Sequence, residues 1–372
     1  MKLRLNISSV KVFFAFITLC NMLQAQEMLC PAKLKTLWGY IDTKGTWIIK
    51  PVYTEAGNFN EEGLAVVKQG KDKFLLIDRK GKIVSNKVSC GMEFKTTKSL
   101  YVKISNPDKG VGYTDYKGNW KIDPHYTKAW DFSEGLAFVN QGGEYLGFGT
   151  TDGCSGRTSI IDTSGNFVAD AGDMTSFGPF KDGIATTGHC YGQPNTFLTN
   201  KGEFIGKSFS KIMPFGEGLA PVEMNPDTTK FDYFWGYIDK TGKIIIQPRF
   251  EYPVFPFKEG LALISYKRLI NYYTDEYDEK WGFINMKGDT AIAVQYLDAL
   301  NFSEGLAPVC DMEKKWGYIG KQGETVIPFQ FEKAEEFKKG RAKIKTEGKW
   351  GFINPKGEII IPAKFDEAGS FN

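Results

Sequence analysis

Residues 349–365 read KWGFINPKGEIIIPAKF, and residues 315–331 read KWGYIGKQGETVIPFQF. A sentence written twice at this interval marks a repeat architecture, so aligning the copies decides the fold. Five copies open on Trp-Gly, at Trp38, Trp235, Trp281, Trp316 and Trp350. Four more keep the closing glycine without the tryptophan, as in FLLIDRKG, and open at Phe74, Val111, Thr158 and Asn195. The nine starts, near 38, 74, 111, 158, 195, 235, 281, 316 and 350, are spaced by 34 to 47 residues. They make residues 26–372 a single array.

A second signature, F-x-E-G-L-A, follows the copies, at 132–137, 215–220, 257–262 and 302–307, with variants at 59–65, 180–185 and 337–342. At the front, Ala32-Lys33-Leu34-Lys35 resembles Ala342-Lys343-Ile344-Lys345, so the unit reads L-A-x-V, then W-G-Y-I-D, then V-I-x-P-x-F. Each piece is short, β-branched and aromatic, which predicts a strand. The spacing Asp42…Gly45, shared by Asp239…Gly242 and Asp162…Gly165, fits a type I turn closed by a glycine at positive φ. Pro51, Pro248, Pro328 and Pro362 cannot donate to a ladder, so they should end or edge the third strand. Helical periodicity is absent, except for a short helical turn at most over Lys333–Lys339.

The W-G-x-I-[DN] copies resemble the WG-repeat family of exported bacterial proteins, over residues 32–372. The resemblance implies an all-β tandem array of about nine short three-stranded or hairpin repeats, and export. Nine units exceed the usual four to eight propeller blades. The matching phase of the two ends also shows no strand exchange. The expectation is therefore an open or superhelical β-hairpin solenoid, with a closed propeller-like toroid as the alternative.

Lys2, Arg4 and Lys11 precede a short apolar run, and Ala25 supplies a small residue for cleavage. Residues 1–25 thus read as a secretory signal peptide, too short for a membrane span. The mature chain is expected to be exported, as a periplasmic, outer-surface or secreted protein. With 47 basic and 44 acidic residues, nothing favours nucleic acid. Among the two histidines, His125 occupies a repeat position, and His189 beside Cys190 invites a nucleophile reading that disulfide chemistry answers better. One Asp per repeat, replaced by Asn285, Asn354 and Gly320, serves a turn and not a metal. No catalytic residue, metal or cofactor is predicted.

A residue that recurs in every unit marks what every unit needs, which is packing. Trp38, Trp235, Trp281, Trp316 and Trp350 are therefore expected to form a structural ladder between repeats. Function is sought where the units differ. From each repeat start to the glycine of the following E-G-L-A the distance is 23 to 25 residues, whereas from that glycine to the next start it runs from 10 to 23. All length variation sits in the connection between L-A-x-V and W-G. Insertions confined to one face commonly mark a binding face. Tyr145, Tyr233, Tyr272, Tyr273 and Tyr277 lie in these connections and hold no repeat position. They are the candidate binding residues, for an unknown protein partner or, alternatively, a carbohydrate or envelope polymer.

Cys154 and Cys190 stand 11 and 12 residues before Gly165 and Gly202, equivalent points in adjacent repeats. Strands in a sheet lie only about 5 Å apart, so this register predicts a disulfide closing about 36 residues. It should add roughly 3–4 kcal/mol in the chain-entropy model. Non-reducing peptide mapping should recover a Cys154–Cys190 linked pair; an alkylatable Cys190 in freshly exported protein would refute it.

Overall fold

A computed structural model describes residues 28–60, 62–71, 73–86, 102–106, 109–115, 119–141, 156–174, 176–188, 195–225, 232–271 and 276–371. The signal-peptide expectation falls outside them. The described residues contain no helix, and their strands form nine antiparallel sheets of three or four strands. The chain divides into two units: residues 1–96, 349–352 and 359–372, and residues 97–348 and 353–358.

In the second unit, one sheet shows the plan. The strand Asp298–Ala299 pairs with Ala307–Cys310, which pairs with Trp316–Ile319, which pairs with Thr325–Phe331. The three predicted strands are present, preceded by a two-residue strand that the sequence reading did not include. The Lys333–Lys339 stretch is no helical turn; it opens with the same short strand, Lys333–Ala334.

Both faces of the two inner strands are buried, whereas the outermost strand Thr325–Phe331 buries only alternate residues. In Leu261–Asn271, Ala262 and Ile264 pack toward the preceding sheet, while Leu261 and Leu263 pack toward the following one. The hydrophobic clusters of the unit share this character, each built from two neighbouring sheets. A single sheet therefore has no core of its own. At the centre of the interface, the residue after Trp-Gly meets the Phe of the next F-x-E-G. The ring centroids lie 4.7 Å apart for Tyr113–Phe132, 4.8 Å for Tyr237–Phe257, 5.0 Å for Phe283–Phe302 and 4.9 Å for Tyr318–Phe337. Such pairs contribute about 0.5–1.5 kcal/mol beyond their burial. Each tyrosine also donates to a backbone carbonyl: Tyr113 to Trp130, Tyr237 to Phe255, Tyr318 to Glu335.

The Trp-Gly glycine answers a different need. The ladder shifts register between Trp316 and Tyr318, and a Cβ on Gly317 would stand 2.8 Å from the Ile327 carbonyl oxygen. The bulge brings two backbones together where only glycine fits. Pro328 lies inside Thr325–Phe331 and does not end it; this is an outermost strand, so the missing N–H costs no ladder bond.

The E-G pair forms a two-residue hairpin turn. Ser133 and Leu136 exchange both backbone bonds, with Glu134 and Gly135 at φ 51° and 76°. Two positive φ values define a type I′ turn, which normally favours Asn-Gly. Glutamate is an awkward occupant, and its side chain explains it. Glu217 accepts from the N–H groups of Glu259 and Gly260 at 2.7 and 2.8 Å, in the next such turn. Glu134 grips Asp182 and Gly183 in the same way, Glu259 holds Gly305 and Glu304 holds Gly340. The Asp turns are as predicted: Gly165 N–H donates to Asp162 C=O, and the Asp162 carboxylate accepts from Ser164 and Asn166.

The first unit holds both chain ends. Cys30–Leu34 pairs with Leu37–Ile41 on one side and with Glu367–Ala368 on the other, so the last strand completes the first sheet. Lys33 bonds Glu367 at 2.6 Å, and Gly369 N–H donates to Pro31. Phe371 packs on Phe352 at 5.0 Å, as each equivalent phenylalanine packs elsewhere, and Tyr40 meets Phe59 at 4.6 Å. The end phases in the sequence show no strand exchange; the structure makes one, between Cys30–Leu34 and Glu367–Ala368.

Burial raises the Tyr113, Tyr237 and Tyr318 phenols well above their ordinary value. The neutral form is thus favoured in the folded chain. The stability it lends is complete below the unfolded value of about 10 and is lost as pH rises above it. The urea midpoint should stay level to about pH 9.5 and fall beyond pH 10, less steeply in Tyr237→Phe. At neutral pH Tyr237→Phe should cost about 1 kcal/mol, and Phe257→Ala about 3–5 kcal/mol.

Candidate functional site: the variable hairpin face

In each four-stranded sheet the E-G turn and the Asp turn lie at one end of the strands. The hairpin between L-A-x-V and W-G lies at the other. The first end is uniform, because its residues are committed to turns. Hydrogen bonds from Asn166 hold the Asp162 carboxyl below the usual carboxylate range, and the Thr241 hydroxyl does the same for Asp239. Among the described residues no group of His, Cys, Asp or Glu is arranged to hold a metal ion.

The hairpin end varies. In the copy ending at Ile319 it is a short turn, with Asp311 capping Glu313 and Lys315. In the copy opening at Trp281 it is a long ribbon. Leu261–Asn271 pairs with Glu276–Asn285 from Leu261↔Asn285 out to Asn271↔Glu276, with a bulge before Asn271. The sequence suggests a loop over 266–280; these residues are largely strand. The supporting strands stop early, since the third strand reaches only Trp281, at Tyr296, and the preceding chain bridges only to Ile264, from Val254. Beyond those points the ribbon is two-stranded.

Its charges are paired, twice across the strands and once along one strand. Lys267 meets Glu279 at 3.2 Å, Lys280 meets Asp278 at 2.5 Å and Arg268 meets the same Asp278 at 3.8 Å. The Lys280 bond holds the Asp278 carboxyl below its ordinary range. Tyr266 and Ile270 are exposed, and Tyr266 meets Tyr252 edge-on, with centroids 5.9 Å apart and ring planes at 78°.

Of the predicted binding tyrosines, Tyr233 is exposed just before Phe234–Asp239, and Tyr277 lies in the ribbon opposite Leu269. Tyr145, Tyr272 and Tyr273 lie outside the described residues, as do Cys154 and Cys190. Tyr266, which the sequence reading did not single out, occupies the ribbon with Tyr252. Its place in a long hairpin with exposed neighbours was the available signal. The tryptophans lie in or against the clusters that join neighbouring sheets. Trp235 is buried, and Trp38, Trp281, Trp316 and Trp350 are half-buried at the edges of the clusters. Within its own sheet each of Trp38, Trp235, Trp281 and Trp316 faces the aromatic that closes the third strand, as Trp316 faces Phe331. The recurring ring pairs that bridge sheets are Tyr–Phe and Phe–Phe, and Trp47–Phe365 and Trp130–Phe177 bridge sheets as well.

The profile of the WG containing repeat family matches residues 38–72, 112–145, 235–267, 281–316, 316–350 and 350–372, more than half of the chain. The chain belongs to that family. Among curated proteins none matches it. Among solved structures, a eukaryotic initiation factor is similar at 10% identity and TM-score 0.59, over 92% of this chain and 98% of that one. The computationally designed Ika8 protein matches at 12% identity and TM-score 0.43, over 83% and 95% of the two chains. BamB from Moraxella catarrhalis matches at 10% and 0.35, over 89% of each. The first of these likenesses supports a propeller-like or repeat-like all-β fold and nothing of function. Among the described residues no helix is long and apolar enough to cross a membrane.

Trp316→Ala should lower stability by about 2–3 kcal/mol, short of the fully buried range because the ring is half-exposed. Tyr266→Ser should shift the unfolding midpoint by less than about 0.5 kcal/mol. Equal losses in urea titrations of the two variants would contradict this assignment.

Proposed function

We propose that this chain is an exported, non-catalytic scaffold that binds a protein partner through the face carrying its variable hairpins. The outer part of the ribbon, 266–280, carries the reading. It departs from the repeat plan, none of its described residues belongs to a hydrophobic cluster, and it displays Tyr266, Arg268 and Ile270 to solvent. Tyrosine and arginine are the residue types that interface hot spots favour. The edge-on Tyr252–Tyr266 pair offers no flat platform for a sugar ring, which favours protein over carbohydrate. The basic and then apolar composition of residues 1–25 supports export.

Capture from an envelope extract tests the reading. Replacing Lys267–Glu279 by Asn-Gly, the preferred two-residue turn, trims the ribbon to the length of its neighbours. The trimmed chain should keep its melting temperature within about 2 °C and lose the partner. Tyr272, Tyr273 and Tyr277 changed together to Ser should also lose it. Capture that survives trimming, or a stable Trp316→Ala chain that no longer captures, would contradict the assignment, and retention of envelope polysaccharide in place of protein would favour the carbohydrate alternative.

A further inference from the structure

Resting on that reading, the ribbon also indicates what kind of protein segment it takes. Phe255 N–H donates to Leu263 C=O, so the backbone of Leu263 turns toward the preceding chain. Strand alternation carries the backbone groups of Lys267 and Leu269 to the same side. There the preceding chain bridges no farther than Ile264, and no described residue pairs with them. A row of backbone donors and acceptors is thus left along an open edge. In several repeats the outermost third strand carries a proline, at Pro51, Pro124, Pro248, Pro328 and Pro362, which blunts that edge, although Thr290–Tyr296 of the ribbon's own sheet has none. The ribbon strand Tyr266–Asn271 has no proline.

Asp278 is shared by Lys280 at 2.5 Å and Arg268 at 3.8 Å, so two cations face one carboxylate. The nearer ammonium takes it. Arg268, with its side chain 71% exposed, retains a guanidinium fork without a bidentate partner. Tyr266 shares its face by alternation and is exposed, and Ile270 follows at the bulge, also exposed.

We propose that Tyr266–Asn271 is a strand-addition site for an extended partner segment with one carboxylate between apolar residues. The partner's backbone would pair with Lys267 and Leu269, its Asp or Glu would take the Arg268 fork, and flanking apolar side chains would cover Tyr266 and Ile270. Main-chain bonds supply affinity in this mode, and alternate side chains supply specificity.

The probe is a fluorescein-labelled ten-residue peptide of alternating Thr and Val with one central Glu, followed by anisotropy with the full chain at low ionic strength. It should bind, and the same peptide with a central Lys should bind at least about tenfold more weakly. Arg268→Ala should erase that difference and Arg268→Glu should reverse it, with melting temperatures unchanged because the side chain is exposed. N-methylation of alternate peptide nitrogens should abolish binding. Equal binding of the Glu and Lys peptides, undiminished binding after N-methylation, or no binding of either peptide would overturn the proposal. If trimming the ribbon removes the envelope partner while Arg268→Glu retains it, the protein-binding reading stands and the acidic-strand inference falls.

Discussion

A thin sheet cannot bury itself, and the ring pair between one sheet and the next is what the other contacts are arranged around. Tyr318 on Phe337 shows it most fully, with a buried ring, a buried neighbour and a phenol donating to Glu335 C=O. Phe283 on Phe302 keeps the rings without the hydroxyl, so apolar contact is the constant and the hydrogen bond an addition. Because the clusters join neighbours, stability accumulates through nearest-neighbour terms. The strand composition follows from this. Residues on both faces must be apolar, and L-A-x-V, with W-G-Y-I beside it, meets that demand in very few residues.

Around this contact the polar groups are managed locally. The Glu of one E-G turn satisfies backbone donors in the next, which explains a non-glycine residue held at positive φ in turn after turn. The Asp turns satisfy themselves. The Trp-Gly glycine and the outer-strand proline are two sides of one bulge, where backbones meet too closely for a Cβ. These devices occupy one end of the strands and the sheet interior. Only the opposite hairpins are free to lengthen, so the structural constraint and the location of variability have the same origin.

Much of this was legible in the sequence. Strand type and order were, because short β-branched and aromatic runs and the Asp-x-x-Gly turn are local signals. The Asp298–Ala299 strand was not, since two residues carry no period. The ladder was expected of tryptophan as the most conspicuous recurring ring; Trp316 faces Phe331 within its own sheet and packs against the cluster shared with the next, while the less prominent Tyr318 supplies the ring pair at the centre of that contact. The pairing of Ala32 with Ala368 could not be read, because equivalent phases at two ends do not say whether they meet. For the site, interval arithmetic located the right connection. It did not reveal the ribbon, whose strands carry charge where alternation would show apolar residues, and it passed over Tyr266.

The central claim is a division of labour: inter-sheet contacts hold the array, and the hairpins are left available. Native-state hydrogen exchange on the isolated chain tests it most directly. The account predicts that the amides of Tyr318 and Ile319, and that of Gly340 held by Glu304, exchange only with global unfolding, while those of Lys267 and Leu269 exchange orders of magnitude faster. Ribbon amides protected as strongly as Tyr318, or a Gly340 amide exchanging as freely as Lys267, would contradict it.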